Sequence, residues 1–365
     1  MKTIRTIKLV SVTAIFVALA AGALAAPPVV PFLPSPQNIS TVPPNGDVNP
    51  YGVAFVPHDF MGGSGPLKPE DILVSNFNNS SNLQGTGTTI VRIGADGSFS
   101  TFFTTPNATL GGPGTGLSTA LAILKKGFVL VGSVPSADGT VATSSPGSLL
   151  VIDNKGNLLT TISDPKINGP WDMTVDDRGD NVVAFVSNAF AGTVVRLDLH
   201  LSNGVTVGKK TVIASGYQHQ GDSVTFVDGP TGLVYDANHD ILFVASSLDN
   251  AVYAVQNAEK ATSSNGTGNI IYTDATHLHG PLGMVMAPNG HFLVANNDAI
   301  NSDPNQPSEI VEFTLAGQFI TQLSVDPSQG GSFGLAVNVK DNIATFAAVD
   351  DNIPSLLIWT LPIQH

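Results

Sequence analysis

The sequence contains no cysteine. Disulfides, thiolate metal ligands, cysteine nucleophiles and a lipidated cysteine anchor are all excluded, so the packed core alone must hold the fold. Charge is scarce as well. Only 12% of the residues are Asp, Glu, Lys or Arg, and the formal net charge is −13. A surface so poor in cations repels phosphate backbones and anionic lipid, which argues against nucleic-acid partners and polybasic membrane docking. Strong helix formers such as Lys, Glu and Arg are few, whereas 37 Gly and 25 Pro describe short strands joined by turns. Beyond the N-terminus no apolar run is long enough to span a bilayer.

The N-terminal apolar run, Leu9 to Leu19, follows Lys2, Arg5 and Lys8 and ends in Ala23-Leu24-Ala25. A basic start, a short apolar centre and a small-x-small close are the marks of a cleavable export signal. Residues 1–25 are read as that signal, 26–36 as a Pro-rich lead and 37–365 as one domain. The mature protein is expected to be secreted or periplasmic, without membrane insertion after cleavage. Loss of the three basic residues leaves it more acidic still.

What the chain does have is a repeat. A short Gly/Pro lead-in followed by an apolar strand occurs six times: from Asn49 (NPYGVAFV), Ser118 (STALAILK), Gly169 (GPWDMTV), Gly229 (GPTGLVY), Gly280 (GPLGMVM) and Ser332 (SFGLAVNV). The residues just before the apolar runs are Gly52, Ala120, Asp172, Gly232, Gly283 and Gly334. A period of roughly fifty to seventy residues built from strands points to propeller blades rather than to a helical solenoid. Each unit continues with a second strand apolar on both faces, such as VVAFVSN from Val182 or ILFVASS from Ile241. A third strand and a Gly-containing turn follow, for example TIVRI from Thr89 and then Ala95-Asp96-Gly97. A more polar fourth strand closes five of the units. The sixth has no fourth strand, because only Leu361–His365 remain after its third. QNISTV from Gln37 is expected to supply it and to close the ring, which removes a free sheet edge. The predicted fold is all-β: a six-bladed β-propeller of four-stranded antiparallel blades.

With x-Gly-Pro-x-Gly lead-ins and second strands ending in Ser, Asn or Asp, the chain resembles the NHL-repeat propellers and the wider gluconolactonase/regucalcin-like group. The resemblance covers nearly all of residues 37–362. It implies the fold, and in some members a metal-dependent hydrolase or lyase acting over the central channel. The gluconolactonase pattern has a Glu at an early lead-in, where this chain has Asn49. The His and Glu-x-His pattern of streptogramin lyases is missing. Of the lead-in histidines of the amidating lyases, only His279 has a counterpart.

In such propellers the lead-in loops and the loops between second and third strands share one face. On that face the long segments 76–87, 133–147, 217–227 and 298–308 gather, and long loops on a rigid ring usually serve binding. The lead-in positions bring Asn49, Asn168, Asp228 and His279, and the second-strand ends bring Asn76, Asn188, Asn296 and Asp298. A ring of oxygen donors with one imidazole suits a divalent cation, calcium or zinc, for which Asp228, His279 and Asp298 are the candidates. The same residue types also cap strands and turns by mimicking backbone. Trp171 is expected to line or plug the channel mouth. The functional reading is a propeller that binds a small molecule or protein partner on the loop-rich face, with or without a cation. The alternative is a lactonase-like, metal-dependent hydrolase or lyase at the same mouth, with His279 as its catalytic candidate.

Overall fold

The computed structural model describes residues 36–106, 115–202 and 204–363. The proposed signal peptide and nearly all of the Pro-rich lead lie outside the described residues. Among those described, no helix is long and apolar enough to cross a membrane, and a single 3-10 turn, Val141–Thr143, is the one helical element.

Six four-stranded antiparallel sheets form the blades. Their innermost strands are Val48–Phe55, Leu117–Ile123, Pro170–Asp177, Pro230–Asp236, Pro281–Met286 and Ser332–Lys340. In the last sheet the outer position is taken by Gln37–Ser40. It pairs antiparallel with the final strand Ser355–Pro362, in the register Gln37 to Ile358 and Ser40 to Ser355. The ring therefore closes as the sequence predicts.

Alternation explains the layering. Second strands such as Ile72–Asn78 are buried along their whole length, because both faces meet a neighbouring blade. Outer strands such as Phe319–Ser324 carry mostly exposed residues. The core is correspondingly divided into layers between adjacent blades. Leu130, Leu149 and Val151 of the second blade pack on Val186, Val195 and Leu197 of the third. Phe243 and Val252 of the fourth meet Phe292 and Phe313 of the fifth. Val74 and Val91 of the first meet Val349 and Leu356 of the sixth. Each such side chain contributes about 1.5–3 kcal/mol through burial.

Every innermost strand carries an irregularity at the same place, between Pro50 and Val53, Leu117 and Leu121, Pro170 and Met173, Pro230 and Leu233, Pro281 and Met284, and Ser332 and Leu335. A bulge leaves backbone groups unpaired in the ladder, and hydroxyls take them up. Gly52 N–H donates to Ser75 Oγ (2.9 Å), and Ser75 Oγ donates onward to the Ser118 carbonyl of the next blade (2.9 Å). Ser118 Oγ does the same to the Pro170 carbonyl (2.7 Å), and Thr231 Oγ1 to the Pro281 carbonyl (2.8 Å). At this level the blades approach backbone to backbone. A Cβ on Gly232 would lie 2.2 Å from the Leu282 carbonyl oxygen, and one on Gly334 would lie 2.0 Å from that of Tyr51. Only glycine fits there. The waist of the ring is thus tight, and it separates a mouth on the loop-rich face from a funnel on the opposite side.

Candidate functional site

Aromatic side chains plug the mouth. Tyr51 stacks on Phe77 (4.6 Å between ring centroids) and on Phe333 (4.3 Å), while Trp171 meets Phe77 edge-on (5.4 Å) and lies parallel to Phe226 (6.4 Å). Three blades, the first, third and sixth, contribute here, together with a hairpin that the sequence does not announce. Within the long lead-in of the fourth blade, Gln220–Asp222 pairs with Phe226–Asp228. Phe226 has φ +68°, a left-handed conformation unusual for a bulky residue, and its ring is fully buried in the plug. The tip of the hairpin folds toward the first blade, where Gln84 Nε2 donates to the Val224 carbonyl (2.9 Å).

A small cavity of about 140 Å³ remains within this plug, walled by Tyr51, Trp171, Phe333 and Leu282 and rimmed by Asn49, Gln84, Thr225, Asn297 and Asp351. Two of its buried polar atoms have no partner. They are Asn49 Oδ1, an acceptor, and Trp171 Nε1–H, a donor. Gln84 Oε1 is a third. Such atoms each cost about 1–3 kcal/mol when nothing bonds them. Asn49 itself sits at φ +60°, a conformation Asn tolerates.

The ionisable carboxyl at the rim is that of Asp351, and no basic side chain lines the cavity. Burial, reinforced by the neighbouring Asp350 and Asp326 carboxylates, pushes Asp351 up to about 8. Asp350 is raised to about 6, again chiefly by burial. Tyr51 is held well above its ordinary range by burial and by the charge of Asp351.

The residues singled out from the sequence divide into three groups. Asn49 and Trp171 line the cavity directly. Asp228 stands behind it: its carboxylate accepts from Thr225 Oγ1 (3.2 Å) and Ser247 Oγ (3.4 Å), bracing the hairpin, and burial raises its pKa. The others hold loops. Asn76 Nδ2 donates to the Thr41 carbonyl (3.2 Å), Asn188 Nδ2 to that of Lys166 (2.9 Å) and Asn296 Nδ2 to that of His277 (2.8 Å). These are strand-capping amides at equivalent places in alternate blades. Both ring nitrogens of His279 face backbone carbonyls, those of Asn301 and Thr276. Asp298 Oδ2 accepts from Ser308 N–H and Gly330 N–H, both 2.8 Å, and its other oxygen, like Glu309 Oε1, is buried without a partner. Burial raises both carboxyls.

Among the described residues no three His, Asp or Glu side chains converge as a metal centre. Asp228, His279 and Asp298 are engaged as described, so their arrangement does not fit a divalent ion held by all three. Asn297, which like Asn296 stands at a second-strand end, also lines the cavity, and Tyr51, Gln84, Phe226, Phe333 and Asp351 complete the mouth without having been singled out. Tyr51 is the one with a sequence signal, an aromatic two residues past a lead-in Asn.

Architecture and closure define the chain as a six-bladed β-propeller. Its fold is similar to that of a glucose dehydrogenase (12% identity, TM-score 0.51, covering 90% of this chain and all of that one). It is likewise similar to regucalcin from Agrobacterium tumefaciens, described as calcium-binding (14% identity, TM-score 0.51, 89% and 93% covered). The periplasmic gluconolactonase of Pseudomonas aeruginosa matches over 71% of this chain and 68% of its own, at 16% identity and TM-score 0.43. No protein-family model and no curated protein matches the sequence. At these identities the likeness is one of fold.

Proposed function

We propose that this protein is exported through its N-terminal signal and binds a small molecule in the axial pocket of its loop-rich face. One observation carries the reading: a buried acceptor and a buried donor, Asn49 Oδ1 and Trp171 Nε1–H, both unpartnered, border the same aromatic-walled cavity. A ligand presenting a donor and an acceptor satisfies both and gains the apolar contact of Tyr51, Trp171 and Phe333. The 140 Å³ volume suits a compact group, either a whole small molecule or one end of a larger one. Pockets on the axis of a ring are preorganised, because each wall belongs to a different blade.

The test is a thermal-shift screen with sugars, lactones and small amides, followed by calorimetry on the wild type and Trp171→Phe. The variant keeps the ring and removes the N–H, so affinity should fall about tenfold, the worth of one good hydrogen bond. A screen in which nothing binds, or a ligand held equally by both proteins, overturns the reading. Export is checked by the intact mass of the protein recovered outside the cytoplasm, expected to begin near Ala26.

A second reading rests on Asp351. A carboxyl raised to about 8 at the rim of a pocket can move a proton near neutral pH. It favours hydrolysis of a lactone or small ester by general acid–base catalysis. Turnover of such substrates that disappears in Asp351→Asn would establish it, and binding without turnover would leave the binding module.

A further inference from the structure

On the far side of the waist lies a second cavity of about 410 Å³, walled by the C-terminal halves of all six innermost strands. Its lining is mixed: Leu233, Met284 and Leu335, buried deep, and Phe55, Tyr235 and Met286, half-buried, alternate with polar surface that includes Thr119 and Thr174. No lining residue carries a positive charge, and one carries a negative charge: Asp172.

The position of Asp172 is unusual. The equivalent residue is Gly52, Ala120, Gly232, Gly283 or Gly334 in the other five blades. Here a carboxylate only 9% exposed stands at the waist of the ring. Its oxygens accept from Met173 N–H (2.7 Å) and, across the blade boundary, from Leu233 N–H (3.2 Å). Neutral hydroxyls do comparable work elsewhere, since Ser75, Ser118 and Thr231 bridge their blades without a charge. Bridging therefore does not require a carboxylate. Burying one with two backbone donors and no counter-ion is expensive, and burial alone pushes Asp172 up to about 8. A cation arriving through the funnel repays that cost. It must be small enough for the cavity, where Phe55, Tyr235 and Met286 are the large side chains that its body can meet.

We propose that the funnel opposite the loop-rich face is a second binding site, which takes a compact organic cation of the primary ammonium type, its charge paired with Asp172 and its hydrocarbon body against the apolar side chains of the wall. A metal ion is disfavoured because the walls provide one carboxylate and no second charged or imidazole ligand. The site is separate from the mouth pocket and stands or falls independently of it.

The experiment is calorimetric titration of the full mature chain with benzylammonium and with its neutral counterpart, benzyl alcohol, at pH 8.5 and 0.15 M salt. Wild type should bind benzylammonium saturably and at least tenfold more tightly than the alcohol. Asp172→Asn, which removes the charge and keeps an acceptor oxygen for one of the two N–H groups, should bind the two probes alike. Asp96→Asn, which removes an exposed carboxylate elsewhere, and Trp171→Phe at the mouth should leave the discrimination intact. Absence of saturable binding in the wild type overturns the proposal. So does an undiminished preference in Asp172→Asn, or a preference lost equally in Asp96→Asn, which would mark attraction to the protein's overall negative charge. Since Asp172→Asn relieves a buried charge but gives up one N–H bond, its melting curve is recorded before titration to establish that it is folded. If it fails to fold, the ratio of the two probes on wild type still decides the matter.

Discussion

Asp351 stands half-buried between the mouth pocket and the last blade, with Asp350 and Asp326 as its charged neighbours. Its pKa of about 8 in the folded protein exceeds the ordinary aspartate value of 3.8 found in the unfolded chain. The folded state therefore holds a proton that the unfolded state has already released. The stability this contributes is complete below pH 4, declines as pH rises and is gone once pH passes about 8. Asp351→Asn should flatten that decline. Melting curves from pH 4 to 9 should converge at the acid end and separate by a few degrees at the alkaline end, with the variant above the wild type. Parallel curves would show that Asp351 does not hold the proton. The pocket was only partly legible residue by residue. Asn49 and Trp171 stand at lead-in positions, which a repeat exposes at once. Gln84 and Asp351 come from two different loops, and their meeting depends on how far each loop leans over the axis, which no local pattern encodes. The capping amides Asn76, Asn188 and Asn296 illustrate the converse: turn chemistry and ligand chemistry call for the same residue types, and only their partners tell them apart.

At the scale of the element, the blades were read almost completely, because a strand buried on both faces leaves an unmistakable apolar run. The hairpin Gln220–Asp222 and Phe226–Asp228 was not. Its strands are too short for alternation to register, and its turn, Ser223-Val224-Thr225, lacks the Asn-Gly or Gly-Gly signature of tight hairpins. Its stability rests on inserting Phe226 into the plug. Phe226→Ala should free the hairpin, cost about 3–5 kcal/mol and make the segment 217–227 the first site of limited proteolysis; an unchanged cleavage pattern would show another anchor. The innermost strands depend on close approach instead. Gly334→Ala forces a methyl group onto the Tyr51 carbonyl, and overpacking of that kind costs about 1–3 kcal/mol. Because Tyr51 walls the mouth pocket, the same change should weaken ligand binding there. Gly290→Ala, at a turn with open space around it but φ +80°, should cost only the backbone strain and leave binding alone.

For the whole molecule, the decisive element is a blade strand of only four residues, Gln37–Ser40. The deficit in the last repeat gave it away: five units with a fourth strand and one without require a donor from elsewhere. Removing residues 26–44 should leave the edge of Ser355–Pro362 open and lower the melting temperature sharply; an unchanged transition would refute the role of the strand as closure. The pairing direction has a mechanical consequence. Gln37 lies opposite Ile358, and beyond it the final strand runs on to Pro362, so both ends of the described chain leave the blade on the same side. A force drawing the two ends apart loads this junction one residue pair at a time, as a zipper opens, rather than sliding the strands past one another with all pairs sharing the load. The junction that closes the ring is therefore easy to open by a pull on its ends. It should yield first at Gln37 and Ile358, while the inter-blade layers are still intact.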